Sequence, residues 1–141
     1  MARYHIVLAE DHREFRRLLR QEVERGEDLR VVGEVEDGQE LLELLEEVNP
    51  DLIILDISMP KLGGLEAAQR LKRSHPQVKI LFLSMHRKQA YIQQARSLGA
   101  AGYLLKEEMD QSLLPAIGQI RAGNTYISPL LAKCLNNYLN C

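Results

Sequence analysis

The 141-residue sequence predicts an α/β fold in which helices cover both faces of a doubly wound parallel sheet. Two observations lead to this prediction. Short apolar runs alternate strictly with segments whose apolar residues recur at helical spacing. Several of these runs are almost continuously Ile, Val or Leu, as parallel strands buried on both faces should be. The predicted strands are residues 4–9, 30–35, 51–55, 78–83 and 102–105.

A predicted amphipathic helix follows each strand, and turn residues separate most of these elements. The helical spacing covers residues 15–23, 41–48, 65–72, 91–98 and 113–120. The turns are marked by Gly26, Gly38, Asn49-Pro50, Gly63-Gly64, His75-Pro76, Gly99 and Gly123. Right-handed crossovers leave few arrangements of parallel strands, and the common one for five strands is the flavodoxin-like (βα)5 order 2-1-3-4-5.

Residues 123–141 lie beyond this unit and are predicted to form a linker with one more amphipathic helix. Ser128 and Pro129 are a typical helix start, with Ser as the N-cap and Pro at the first helical position. One apolar face follows, made of Leu130, Leu131, Cys134, Leu135, Tyr138 and Leu139. That face must pack on its own domain, on a partner subunit or on a further domain. Cys134 and Cys141 would lie about 10 Å apart along such a helix, too far for a mutual disulfide.

The charge and hydropathy of the chain argue against a protein devoted to nucleic acid or membranes. There are 18 basic and 20 acidic side chains, so no overall basic surface exists for nucleic acid or anionic lipid. The apolar runs are far too short to cross a bilayer, and the first leads into Glu10 and Asp11 rather than a signal-peptide cleavage site. We therefore expect a soluble, cytoplasmic protein.

Charge is distributed unevenly along the chain. Residues 1–50 hold 7 basic and 14 acidic side chains, whereas residues 51–141 hold 11 basic and 6 acidic ones. Two solvated faces would explain this pattern. A sharper interpretation is that the surfaces are complementary and serve dimerisation or docking of a partner, and their attraction would then weaken with salt.

Polar side chains follow four of the five predicted strands. Glu10 and Asp11 come after the first strand, Asp56 after the third, Ser84 at the end of the fourth and Lys106 after the fifth. The carboxyl ends of parallel strands share one edge of the sheet, and ligands bind there where the strand order reverses. In the predicted order that point lies between strands 1 and 3. We therefore expect the three carboxylates to converge.

Converging carboxylates predict a cation. Two of them about 4 Å apart repel by roughly 4 kcal/mol at an effective dielectric near 20. A hard divalent cation removes this conflict, and a site made only of oxygen ligands suits Mg²⁺ best. The cation can in turn hold a phosphoryl group, with Lys106 as an opposing positive charge and Ser84 as a hydroxyl donor. The pattern therefore predicts a magnesium-dependent phosphoryl-acceptor site.

These residues lie in motifs that resemble the response-regulator receiver domain of two-component signalling. The resemblance covers about residues 3–122. The matching motifs are IVLAEDH, DLIILDISMPKLGGL, ILFLS and LGAAGYLLK. The resemblance implies that residues 1–122 form a receiver domain, which accepts a phosphoryl group from a sensor histidine kinase and is not a turnover enzyme.

The resemblance also implies a role for each acidic residue. Asp56 is similar to the aspartate that attacks phosphorus as a nucleophile. Asp11 resembles the direct Mg²⁺ ligand, and Glu10 resembles the acid that holds the metal through water. Ser58 matches the position whose backbone carbonyl coordinates the metal. Ser58 and His86 also match positions that in this family tune the lifetime of the phosphoryl group.

A second group of matching residues implies a switch. Lys106 matches the invariant catalytic lysine, and Ser84 matches the hydroxyl that moves onto the phosphoryl group. Tyr103 matches the aromatic that turns inward when this hydroxyl moves. The implied result is a change in the surface of helix 4, strand 5 and helix 5, around Tyr103, and a phosphorylation-dependent homodimer there.

Two further features resemble the NarL/LuxR-type transcriptional regulators. Glu107 follows Lys106 where the wider family often has proline, and the segment GNTYISPLLA follows the last helix. In that branch this segment is a linker to a helix-turn-helix output domain. The resemblance implies that residues 123–141 are such a linker, that the output domain is absent from this chain, and that DNA is bound only through it.

Other functions on related folds fit less well. A stand-alone receiver that passes on phosphate or binds a target directly is the alternative within signalling. A flavodoxin-like FMN carrier needs a Ser/Thr-rich loop where this chain has Glu10 and Asp11, which would repel a phosphate. An aspartate-nucleophile phosphatase of the haloacid-dehalogenase type needs a second acid at the position of Ser58. A Rossmann dinucleotide site needs G-x-G-x-x-G, which is not present.

Overall fold

The computed structural model describes residues 3–136, and in the last helix it describes side chains as far as residue 132. The strands are β1 Tyr4–Ala9, β2 Leu29–Val35, β3 Leu52–Leu55, β4 Lys79–Ser84, β5 Gly102–Leu105 and β6 Tyr126–Ile127. The helices are α1 Arg13–Glu24, α2 Gly38–Leu44, α3 Gly64–Ser74, α4 Gln89–Ser97, α5 Met109–Arg121 and α6 Pro129–Asn136, with a 3-10 turn at Lys106–Glu108. Within the described range, no helix is long and apolar enough to cross a membrane.

The strands form one parallel sheet in the order β2-β1-β3-β4-β5-β6. The predicted α/β fold and the order of the first five strands are therefore confirmed. The prediction of only five strands is wrong, because Tyr126 and Ile127 pair with Gly102 and Tyr103. Two residues are too few to show a strand periodicity, and this edge strand forms because β5 offers it a free backbone edge.

The core has two layers, one on each face of the sheet. Side chains alternate between the faces, so Val7 and Ile53 pack toward α2, α3 and α4, whereas Ile6 and Ile54 pack toward α1 and α5. Every residue of β3 is fully buried. This burial on both faces explains why the strand reads as a continuous apolar run, and it places the end of β3 in the middle of the sheet.

Helix α2 is shorter than its predicted span of residues 41–48. Asp37 caps its start, with its carboxylate accepting the Glu40 N–H at 2.8 Å. The helix ends at Leu44, although the Glu47 and Val48 N–H groups both donate to the Leu44 carbonyl at 3.0 Å. The apolar spacing therefore continues through a final irregular turn, which periodicity alone does not distinguish from helix.

The start of α6 packs on the hydrophobic core beside the sheet. Ser128 caps the helix as predicted, since its hydroxyl accepts the Leu131 N–H at 3.2 Å. The Leu131 side chain is fully buried in the same cluster as Tyr103, whereas Leu130 is 43% exposed. Three environments were predicted for the apolar face, and the first turn of the helix packs on its own domain. The rest of the face and the Cys134–Cys141 pair lie outside the described side chains.

A buried carboxylate fastens α6 to the end of β5. Glu108 accepts the Leu130 N–H at 3.0 Å and the Leu105 N–H at 3.5 Å. The Ser128 N–H also donates to the Tyr103 carbonyl at 2.8 Å. Free N–H groups at a helix start need such acceptors, and a carboxylate there also interacts favourably with the helix dipole.

We expect Glu108→Gln to loosen the start of α6. A neutral amide replaces two acceptor oxygens with one, so the Leu130 amide should exchange with solvent about tenfold faster, which corresponds to roughly 1.4 kcal/mol. Amide hydrogen exchange followed by NMR measures this. The control is Glu107→Gln, since Glu107 is exposed and its ion pair among the described residues is with Arg87. Equal exchange of Leu130 in the two variants would contradict the role of Glu108.

Candidate functional site

Three carboxylates meet at the carboxyl edge of the sheet. Oxygens of Glu10, Asp11 and Asp56 all lie within 4.8 Å of one another. The pairing of Ala9 with Leu55 aligns the two strand ends, and the Asp56 N–H donates to the Ala9 carbonyl at 3.0 Å. Glu10 and Asp56 are buried, and Asp11 is exposed. The predicted convergence is confirmed, and an all-oxygen cluster of this charge fits a hard divalent cation.

Lys106 brings a positive charge into the cluster from the end of β5. Its Nζ lies 2.6 Å from Glu10 Oε1 and 3.5 Å from Asp56 Oδ2. The same ammonium lies 4.8 Å from the centre of the Phe15 ring, which α1 supplies. The ring face attracts the cation and covers it on one side. One lysine balances only part of the charge of three carboxylates.

The electrostatic balance leaves Asp56 easily protonated. Burial raises the pKa of Asp56 from 3.8 to about 7, and the neighbouring charges of Glu10 and Asp11 add to the rise. The Lys106 ammonium and the Ser58 N–H, which donates to Asp56 Oδ1 at 3.4 Å, lower this pKa. A further cation bound here would stabilise the ionised form of Asp56.

The loop after β3 holds Asp56 by folding tightly back on itself. The Gly64 N–H donates to the Ile57 carbonyl at 2.8 Å. A Cβ at Gly64 would lie only 2.0 Å from the Asp56 carbonyl oxygen, so no side chain is tolerated there. This close approach explains the second glycine of the Gly63-Gly64 pair as a requirement of the site rather than of the turn alone.

A hydrogen-bonded chain joins the end of β4 to β5. The buried Ser84 hydroxyl accepts the His86 N–H at 2.9 Å, and the Tyr103 hydroxyl donates to the His86 carbonyl at 2.9 Å. The Tyr103 ring is 3% exposed and therefore lies inward in this structure. Burial raises the pKa of Tyr103, and the Ser84 hydroxyl partly offsets this rise. His86 Nε2 also lies 2.7 Å from the Ser58 hydroxyl.

The sequence did not reveal two residues of α1 that support the cluster. Phe15 packs over Lys106, as described above. Arg16 donates to the Glu10 carbonyl at 2.7 Å and pairs with Glu34 and Glu36 at 3.3 Å each. Helix α1 carries four arginines, and the sequence does not show which of them reaches the site. The structure shows it, because the glutamates at the end of β2 lie beside Arg16.

Comparison with known proteins decides the family. Residues 6–118 match the response regulator receiver domain. The chain belongs to the response regulator receiver family. It is 40% identical over 124 residues to the transcriptional regulatory protein DegU of Brevibacillus brevis, which covers 88% of this chain and 52% of DegU. The chain thus spans about half the length of that relative.

Solved structures point to the same branch. A LuxR-family two-component response regulator from Aurantimonas sp. SI85-9A1 matches with a TM-score of 0.89 and 32% identity over 94% of each chain. A structure of two RcsB dimers bound to two parallel DNAs matches with a TM-score of 0.89 and 26% identity, over 95% of this chain and 68% of that one. This receiver is therefore of the NarL/LuxR type.

Membership of this family favours signalling over the other functions that share the fold. Receivers of this type serve two-component signal transduction and phosphorelay, and their relatives here are transcriptional regulators rather than turnover enzymes. The site agrees, because the loop after β1 carries two carboxylates where a flavin phosphate would have to bind.

We expect the stability of the metal-free receiver to fall as the pH rises toward 7. Asp56 has a pKa of about 7 when folded and an ordinary value of 3.8. Its protonation therefore stabilises the native state fully below the ordinary value, and this stabilisation is lost as the pH rises through the folded value. Asp56→Asn cannot ionise, so its free energy of unfolding should exceed that of the wild type by about 2–4 kcal/mol more at pH 8 than at pH 4.

Urea unfolding in EDTA across this pH range measures the difference. Asp110→Asn is the control, because it removes the charge of an exposed acid on α5 that is not one of the three clustered carboxylates. Parallel curves for wild type and Asp56→Asn would show that Asp56 has no raised pKa.

Proposed function

We propose that this receiver takes a phosphoryl group from a sensor histidine kinase onto Asp56, and that phosphorylation controls a DNA-binding output domain. The observation that supports this is the cluster of Glu10, Asp11 and Asp56 beside Lys106. Receiver membership supports the kinase partner, and we place the reaction in the cytoplasm.

The donor set fits Mg²⁺. Glu10, Asp11, Asp56 and the Ser58 carbonyl would hold the ion, which when bound supplies the positive charge that neutralises carboxylate and phosphoryl oxygens. Among the described residues, Lys106 alone forms ion pairs with the buried carboxylates of Glu10 and Asp56. This shortage of positive charge is the physical reason for the assignment. Two interactions hold the Glu10 carboxylate in position. It forms an ion pair with the Lys106 ammonium and accepts a hydrogen bond from the His12 N–H.

In the proposed transfer, an ionised Asp56 oxygen attacks the phosphorus of a phosphohistidine. The P–O bond forms as the P–N bond breaks, and the electron pair of that bond stays on the departing imidazole. Lys106 lies where it can face the oxygens of the transferred group, which carry the charge of the transition state. The work of the receiver is thus positioning and electrostatics.

Phosphorylation would then act on the chain of bonds from Ser84 to Tyr103. The charge on residue 56 changes from −1 to nearly −2, and the new oxygens attract hydroxyl donors. The Ser84 hydroxyl can donate to them while it still accepts the His86 N–H. A shift of Ser84 would therefore move His86, whose carbonyl holds the Tyr103 hydroxyl from the loop between β4 and α4. The surface of α4, β5 and α5 is where we expect the output.

Control of transcription is the proposed output. DegU is a transcriptional regulatory protein, and RcsB dimers bind DNA. By this likeness we propose that DNA is reached through an output domain joined by the linker, residues 123–141, and that the phosphorylated receiver forms a homodimer.

Asp56→Asn should abolish Mg²⁺-dependent phosphorylation by acetyl phosphate, because the amide nitrogen and oxygen are poor nucleophiles. Intact-protein mass spectrometry should show one added phosphoryl group on the wild type and none on the variant. Asp110→Asn should label as the wild type does. Persistent labelling of Asp56→Asn would assign the acceptor to another residue.

The proposed dimer should require phosphorylation. Light scattering coupled to size exclusion should report a monomer without a phosphoryl analogue and a dimer with beryllofluoride and Mg²⁺. If the uneven charge distribution drives association, the dimer should weaken from 50 to 500 mM salt, as screening predicts. Asp56→Asn should stay monomeric throughout. A wild type that is monomeric in both states would refute phosphorylation-dependent dimerisation of this chain.

A further inference from the structure

Arg16 has an unusual environment for a helix-surface arginine. Its side chain is only 13% exposed, and its three polar partners come from two separate parts of the chain. The Glu10 carbonyl lies in the loop after β1, whereas Glu34 and Glu36 lie at the end of β2. One guanidinium therefore joins the loop that carries two of the clustered carboxylates to the neighbouring strand.

The hydrogen bond from Arg16 to Glu10 lies at the peptide that joins two of the clustered acids. The Glu10 N–H already donates to the Val35 carbonyl at 3.0 Å, so Arg16 completes the fixation of this residue's backbone from the other side. The Glu10 carbonyl belongs to the peptide bond that joins Glu10 to Asp11. Because that peptide is planar, fixing its oxygen limits the directions in which the Asp11 carboxylate can point.

We propose that Arg16 is a positioning residue for the metal site, holding the Glu10–Asp11 peptide so that both carboxylates face Asp56. This inference rests on the proposed function, since it assumes that the cluster binds Mg²⁺. Arg16 acts through the backbone of Glu10 and contacts neither the cation nor the phosphoryl group. Groups that orient metal ligands in this way strongly affect metal affinity.

The role of Arg16 can be tested through Mg²⁺ affinity, because the loss of its charge and the loss of its positioning would change that affinity in opposite directions. A cation near the cluster by itself repels Mg²⁺. Removing Arg16 also takes this partner from Glu36 and leaves Glu34 paired with Arg20, and both changes would tighten Mg²⁺ binding. If Arg16 positions the loop, its removal instead weakens binding. Weaker binding therefore cannot be explained by the change of charge.

The chain offers a matched control in Arg20. It lies one turn further along α1, pairs with the same Glu34 and also with Glu24, and has no bond to Glu10. Its side chain is 44% exposed. Arg20→Met therefore removes a similar charge from the same acidic partner without touching the loop.

Isothermal calorimetry of the folded wild type, Arg16→Met, Arg16→Lys and Arg20→Met gives the Mg²⁺ dissociation constants. We expect about a tenfold increase for Arg16→Met. Arg16→Lys should show a smaller increase, because it keeps the charge but loses the planar fork that reaches three partners. Arg20→Met should show none.

A second readout separates positioning from loss of structure. In phosphorylation by acetyl phosphate, Arg16→Met should need more Mg²⁺ for half-maximal rate yet approach the wild-type rate at saturating Mg²⁺. Equal Mg²⁺ affinity in Arg16→Met and Arg20→Met, or tighter binding by Arg16→Met, overturns the proposal. If circular dichroism shows that Arg16→Met does not fold, unchanged affinity in Arg16→Lys overturns it.

A wrong metal site and a wrong role for Arg16 would give different binding results. If the wild type binds no Mg²⁺, or if binding is unchanged in Asp11→Asn, the proposed metal site itself is wrong. If Asp11→Asn abolishes binding while the Arg16 variants bind as the wild type does, the metal site stands and only the role of Arg16 is wrong.

Discussion

Repulsion among three carboxylates held on two adjacent buried strands is the constraint on which the site depends. β1 and β3 pair up to Ala9 and Leu55, so the acids that follow cannot separate without unpairing strands in the middle of the sheet. Two such charges about 4 Å apart repel by roughly 4 kcal/mol at an effective dielectric near 20. Two features reduce this repulsion. Lys106, which follows a third strand, adds a positive charge, and the pKa of Asp56 is raised to about 7, so this carboxyl is protonated at lower pH. The site therefore gains from added positive charge, as the proposed cation-dependent phosphoryl acceptor would require.

Strand β5 connects this site to the segment that follows α5. Lys106 follows its last residue, and Tyr103 lies within it. On its outer edge β5 pairs with β6, and its carbonyl and amide groups reach α6 through Ser128 and Glu108. Leu131 shares a core cluster with Tyr103. A rearrangement of β5 would therefore change the contacts at the start of α6, which is a short physical route toward the proposed output domain.

Local patterns sufficed for most of the fold. The bounds of β1 and β5 agree with the predicted residues at both ends, because each run begins and ends where its apolar pattern changes. β6 was not predicted, since these two residues after α5 become a strand only where β5 has an unpaired edge. The predicted end of α2 was too late, because apolar spacing continued through a turn that no longer closes as a helix.

The sequence by itself determined the chemistry of the site. Buried strands must end at one edge of a parallel sheet, so the acids, the hydroxyl and the lysine after them could be brought together without coordinates. Only the tertiary structure decided how their charges are balanced. The raised pKa of Asp56, the position of Lys106 between two acids, the inward Tyr103 and the hold of Arg16 on Glu10 all depend on distances between elements far apart in sequence. Electrostatic energies and hydrogen bonds change steeply with such distances, and residue order does not fix them.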